Sequence, residues 1–158
     1  MLTEGVDSGK DFVGTNKDDQ FLAVDDVVNG KTLTLADSID GGKGTDLLKI
    51  VTADVIANSD FEDRTIKGIE IIDIKSTDTT AGNSLTLDTT DAAVKNNLKD
   101  VTDLYLTTTQ DNGIDVTVNG TTNVTATATD NSATAGIKVT GGKAVTATLD
   151  VAATATIT

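Results

Sequence analysis

The stretch that most limits what this chain can become is Gly41-Gly42-Lys43-Gly44-Thr45-Asp46-Leu47-Leu48-Lys49. It fits the nonapeptide G-G-x-G-x-D-x-U-x at every fixed position. The glycines permit a tight turn with positive φ and let backbone carbonyls approach a common point. Asp46 adds a hard anionic oxygen of the kind that Ca²⁺ prefers. Leu48 then points inward and opens a strand over residues 47–51. A turn and strand of this type cannot bury an apolar face alone, so copies have to stack on it.

A degenerate copy lies upstream. In Gly14-Thr15-Asn16-Lys17-Asp18-Asp19-Gln20-Phe21, Gly14 aligns with Gly41, Asp19 with Asp46 and Phe21 with Leu48. The offset is three nonapeptides, whereas turns on one side of an uninterrupted β-roll recur every two. The intervening residues therefore have to loop out if the two turns are to face each other. Within them, Asn29-Gly30 between Val27-Val28 and Thr32-Leu33 is a hairpin signal or a loop tip. Residues 51–68 are the weakest β region and suit a loop or short helix. Strand pattern resumes at Gly68–Ile74 and Ser84–Leu87. Residues 91–98 carry apolar side chains at helical spacing.

From about residue 100 a repeat emerges. Val116–Gly120 lines up with Ile137–Gly141, and Val124–Ala128 with Val145–Leu149, each a step of 21 residues. Two short strands per unit at such a period describe a stacked β-solenoid. Val116, Val118, Val124, Ala126, Ile137, Val139, Val145, Ala147 and Leu149 are the expected inward positions. Thr, roughly a fifth of the chain, would form outward ladders. The expected fold is all-β: a Thr-rich, β-roll-like solenoid segment with calcium-binding Gly-Asp turns. An antiparallel immunoglobulin-like sandwich is the alternative that the same alternation supports. The organisation expected is a calcium-turn region over 1–50, a connecting region over 51–99 and the Thr/Val/Ala repeats over 100–158. That last region ends in strand pattern, which suggests continuation into a larger protein or assembly.

Composition narrows the function. The net charge of −13, with 12 basic residues, argues against nucleic acid. No apolar run reaches the length of a membrane span, and no secretory leader is visible. Without His or Cys the usual general bases, thiol nucleophiles and transition-metal ligands are missing, so an enzyme is not expected. Arg64, the one arginine, reads as a surface charge. Tyr105, Phe12, Phe21 and Phe61 read as core or cap residues rather than a sugar-stacking set. Calcium remains as the expected cofactor. Asp46 and Asp19 are the leading side-chain ligands, joined by backbone carbonyls of Gly42 and Gly44. Asp7, Asp18, Asp37 and Asp40 are secondary ligands.

These segments together resemble the surface-layer proteins of Gram-negative bacteria in the RTX-related group exported by type I secretion. The resemblance rests on Leu2, Thr3, Gly5, Val6 and Asp7; on Gly14, Thr15, Asp18, Asp19 and Phe21; on Asp37, Ile39, Asp40, Gly41, Gly42, Gly44, Asp46 and Leu48; and on Gly68, Ile69 and Glu70. It is specific over the first half and only stylistic over the second. It implies an extracellular, cell-surface location and a structural role in a two-dimensional lattice or filament of the chain with itself. It also implies Ca²⁺ for folding and assembly. A secreted calcium-dependent adhesin that binds a ligand such as a cell-surface polysaccharide is the alternative. The long nonapeptide array of the toxins is missing, since only one turn keeps all three glycines.

Overall fold

A computed structural model describes residues 1–3, 5, 7–9, 12–26, 30–34, 37–54, 56–78, 83–109, 113–129, 136–149 and 154–158. The fold is all-β. Thirteen strands run in chain order: β1 (Gln20–Asp26), β2 (Gly30–Lys31), β3 (Ser38–Asp40), β4 (Leu47–Thr52), β5 (Thr65–Lys67), β6 (Ile71–Ser76), β7 (Ser84–Asp88), β8 (Asp103–Thr109), β9 (Gly113–Thr117), β10 (Asn123–Thr129), β11 (Ile137–Thr140), β12 (Ala144–Leu149) and β13 (Ala155–Ile157).

They form a seven-stranded sheet in the order β12-β10-β8-β6-β4-β1-β2, a four-stranded sheet β13-β11-β9-β7 and the pair β3-β5. From β3 onward, successive strands alternate between the large sheet and the smaller ones. Every strand pair is parallel except β1 with β2. That rules out the antiparallel sandwich. Parallel neighbours need a crossover, and here the crossover is the strand that visits the opposite sheet.

Alternating side chains explain the core. On the large sheet, Phe21, Leu48, Ile72, Leu104, Val124 and Val145 pair in one row. Ala23, Ile50, Ile74, Leu106, Ala126 and Ala147 pair in the next. Leu85, Ile114, Val116, Ile137 and Val139 face them from the four-stranded sheet and are buried. Six of the nine expected inward positions, Val116, Val118, Val124, Ala126, Ile137 and Val139, are buried. Val145, Ala147 and Leu149 point the same way but are only partly covered, because β12 is the edge strand.

The repeat step holds for β10 and β12, where Val124 pairs with Val145. It shifts for β9 and β11, where Val116 pairs with Val139 rather than with Ile137. The connection 118–122 is two residues longer than 141–143, and the turn absorbs the difference. A two-residue shift preserves the face of every side chain. Register positions on the large sheet recur after 27, 24, 32, 20 and 21 residues, so coil length varies while strand register does not.

The β1 side of the large sheet is closed by the chain itself. Leu2 N–H donates to the Leu22 carbonyl at 2.8 Å, and Thr32 N–H to that of Val24 at 2.9 Å. Strand β2 folds back antiparallel on Asp25 and Asp26. The hairpin expected at Asn29-Gly30 is thus seen in its strand pairing, although residues 27–29 lie outside the described ones. Covering a β edge in this way blocks intermolecular pairing.

Two local expectations change. Residues 91–98 form consecutive turns, not a regular helix. Lys95 N–H reaches the Asp91 carbonyl and Leu98 N–H that of Val94, but Asn96 and Asn97 propagate a helix poorly, and Asn97 Nδ2 is drawn to the Phe61 carbonyl at 2.7 Å. The buried Val94 and Leu98 account for the helical spacing. Arg64 is not a surface charge. It is buried, and its Nη1 donates to the carbonyls of Ser59 and Glu62 while Nη2 donates to that of Leu33. Burial lowers its pKa, opposed by Asp60, Asp37 and Asp63. It fastens the loop after β4 to the segment that closes the β1 edge. Among the described residues no helix is long and apolar enough to cross a membrane.

Candidate metal centre in a column of stacked turns

The connections that lead into β1, β4 and β6 lie on one edge and stack. Gly14 N–H donates to the Asp40 carbonyl at 2.7 Å, and Gly41 N–H to that of Lys67 at 2.9 Å. This aligns Gly14, Gly41 and Gly68. At the other end of each turn, Leu47 N–H donates to the Asp19 carbonyl and Ile71 N–H to that of Asp46. Asp19, Asp46 and Glu70 therefore form a second column. The turns 14–19 and 41–46 occupy adjacent coils in direct register, with Phe21 beside Leu48. The additional length between them loops out at the opposite edge.

The glycines meet two different demands. Gly42 and Gly44 have φ of 90° and 129°, which side chains rarely adopt. Gly14 and Gly41 are needed for close approach. A Cβ on Gly14 would overlap the Gly41 carbonyl oxygen, and one on Gly41 would overlap that of Gly68.

The carboxylates bind the turns together. Asp19 Oδ2 accepts from Thr15 N–H at 2.6 Å and from the Thr15 hydroxyl at 2.9 Å. Asp18 Oδ1 accepts from Thr45 N–H at 2.9 Å. Asp46 Oδ1 accepts from Asp19 N–H at 2.7 Å, and Glu70 Oε2 accepts from Asp46 N–H at 2.9 Å. Asp46 itself is 0% exposed, and its Oδ2 has no hydrogen-bond partner. An ionised oxygen buried without a partner is costly. Burial is the main reason that the Asp46 pKa is raised; the Asp19 N–H opposes the rise, and the charges of Glu70, Asp19 and Asp18 add to it.

Of the expected ligands, the structure brings together Asp18, Asp19 and Asp46. Asp40 stands at the entry to the turn, accepting from Gly42 N–H at 3.1 Å. Gly42 and Gly44 form its exposed bend. Asp7 and Asp37 lie elsewhere, before β3, at the opposite end of that strand. Their carboxylates are engaged locally: Asp7 by Thr3 N–H and hydroxyl, Asp37 by Thr34 N–H and hydroxyl and by Asp7 N–H. Glu70 was not among the expected ligands. Its signal is Gly68-Ile69-Glu70, a shortened turn that repeats the glycine and the acid of Gly41 and Asp46.

Among the described residues no three carboxylates form a ready metal cage. Ca²⁺ takes six to eight oxygens, so this set suits it only with carbonyl or water oxygens added. The orphaned Asp46 Oδ2 and the three carboxylates around it are what speak for a cation.

No protein family, curated protein or solved structure matches this chain.

The raised Asp46 pKa fixes a pH dependence for the metal-free chain. The folded form holds this proton to higher pH than the unfolded form, so stability falls as pH rises from the ordinary carboxylate value, 3.8, through the raised folded value. Acidification from pH 7 towards 4 in EDTA should raise the melting temperature of the native chain relative to Asp46→Asn, which lacks the proton. Parallel melting curves at all pH values would contradict this.

Proposed function

We propose that this chain is a calcium-stabilised β-solenoid segment that serves as a structural component of a self-assembling bacterial surface layer or extracellular filament. The observation that carries the reading is the buried, unpartnered Asp46 Oδ2 in a column with Asp19 and Glu70. A cation there neutralises clustered carboxylates that otherwise repel, and a ligand that binds only the folded form stabilises it. Coils that each touch only their neighbours suit extension by stacking. Strands β12 and β13, at the edges of their sheets, offer hydrogen-bonding groups to another chain.

An adhesin is the second reading, favoured by Tyr105. It is 42% exposed on the outer face of the large sheet, where Leu47, Ile71, Asp73, Thr107, Thr125 and Thr127 join it around a shallow trough of about 510 Å³.

Electron microscopy and light scattering during calcium addition separate the two. Ordered sheets or fibres formed by the chain alone are the expected result. A calcium-stabilised chain that stays monomeric would sink the lattice reading in favour of the adhesin.

A further inference from the structure

The corner between β9 and β10, residues 118–122, carries an Asn-Gly pair with a chemistry of its own. Asn119, Gly120 and Thr121 are exposed. The turn closes from Thr122 N–H to the Asn119 carbonyl at 3.4 Å. Inside it, the Gly120 N–H has no hydrogen-bond acceptor among the described residues. A Cβ on Gly120 would meet nothing within 4 Å, so the space around this nitrogen is open. A glycine here also leaves the backbone free to swing its nitrogen towards the asparagine side chain.

Two other pairs of this reactive kind are held in place. Gly41 N–H, after Asp40, donates to the Lys67 carbonyl at 2.9 Å, and Gly113 N–H, after Asn112, donates to that of Asn83 at 3.2 Å. A nitrogen fixed in the ladder between coils has to break that bond before it can react. Asn29 and Asn112 themselves lie outside the described residues. At Asn119 the carbonyl that would be attacked is also activated. Its Oδ1 accepts from Thr121 N–H at 2.8 Å, from the Thr121 hydroxyl, and from the Thr122 hydroxyl at 3.3 Å. Donors on a carbonyl oxygen draw electron density from its carbon and stabilise the oxyanion that attack creates.

We infer that Asn119-Gly120 is a self-modifying site that converts Asn119 to isoaspartate and aspartate while the chain stays folded. A solvent base takes the Gly120 amide proton, and the nitrogen attacks Asn119 Cγ. Holding the two groups in one turn makes this weak nucleophile effective. The N–Cγ bond forms, the Cγ–Nδ2 bond breaks, and the amide leaves as ammonia with a proton from water. Water then opens the cyclic imide. Cleavage at Cγ gives aspartate. Cleavage at the main-chain carbonyl gives isoaspartate, which adds one methylene to the backbone. One water is consumed and one ammonia released, and nothing is oxidised. The neighbouring coils are fastened outside the turn: the Thr122 hydroxyl donates to the Val101 carbonyl at 3.3 Å, Asn123 N–H to that of Thr102 at 2.8 Å, and Lys143 N–H to that of Thr122 at 2.8 Å. The corner therefore takes up the extra methylene and the stack does not. Each conversion adds a negative charge at one level of the solenoid and records the age of the molecule. The site shares no residue with the Asp46 column and stands independently of the calcium reading.

The test is storage of the chain in warm, mildly alkaline buffer, both native and in urea, followed by peptide mass spectrometry that separates isoaspartate from aspartate. In the native chain Asn119 is expected to convert about tenfold faster than Asn112, and in urea the two rates should converge. Gly120→Ala, whose methyl meets open space, should slow Asn119 about tenfold by obstructing the nitrogen's approach. Thr121→Val should slow it severalfold in the native chain and not in urea, where the activating turn is gone. The converted chain should keep the melting temperature of the fresh one. Asn112 converting as fast as Asn119 in the native chain, or urea accelerating both sites equally, would overturn the assignment. A marked fall in melting temperature on conversion would overturn the claim that the corner absorbs the change.

Discussion

Replacing Gly41 with alanine is expected to cost about 3 kcal/mol or more, roughly a 10 °C loss in melting temperature for a chain of this size. The added methyl would overlap the Gly68 carbonyl oxygen and crowd the Asp46 carboxylate. Neither neighbour can retreat easily. The Gly41 N–H is bonded to the Lys67 carbonyl, and Asp46 is pinned between the Asp19 and Glu70 bonds. The coils would have to separate at the point where their spacing is fixed by the backbone ladder. Gly120→Ala is the control. A Cβ there meets nothing within 4 Å, and φ is not positive. It should be neutral or stabilising by a few tenths of a kcal/mol, through the unfolded chain. Thermal melts of the two variants decide the matter. Equal effects would mean that the stacked turns do not set the coil spacing.

The second large effect is the response to calcium. At a free concentration a hundredfold above the dissociation constant, one native-specific site adds about 2.7 kcal/mol. Asp46→Asn should abolish that gain. In EDTA at pH 7 the same variant should be at least as stable as the native chain, because an amide replaces a buried charge near Glu70, Asp19 and Asp18. The substitution is thus expected to be harmless without the ion and costly with it. Glu70→Gln should reduce the calcium response less, since its Oε2 is already engaged by Asp46 N–H. Calorimetric melts with and without calcium read all three chains. A native chain indifferent to calcium would mean that the column is only a structural device.

Much of this was legible because alternation and turn chemistry act locally. Gly14 and Gly41, Asp19 and Asp46, and Phe21 and Leu48 align in the sequence as they pair in space. The inward residues of β9 to β11 follow from period two. Glu70 was obscured because its turn is three residues shorter than the one before it, so a fixed nonapeptide template slides past it. The burial of Arg64 depends on carbonyls of Leu33, Ser59 and Glu62, which come together only once the loops have folded.

The unequal coil lengths carry a practical consequence. A span of 32 residues sits beside one of 20 with strand pairing unbroken, so the corners take up every insertion and the strands take none. Such a chain is a natural display scaffold. Foreign peptides grafted at the bend around Gly120, where a side chain meets only open space, would be presented at a fixed height along the stack without altering the strands that carry them.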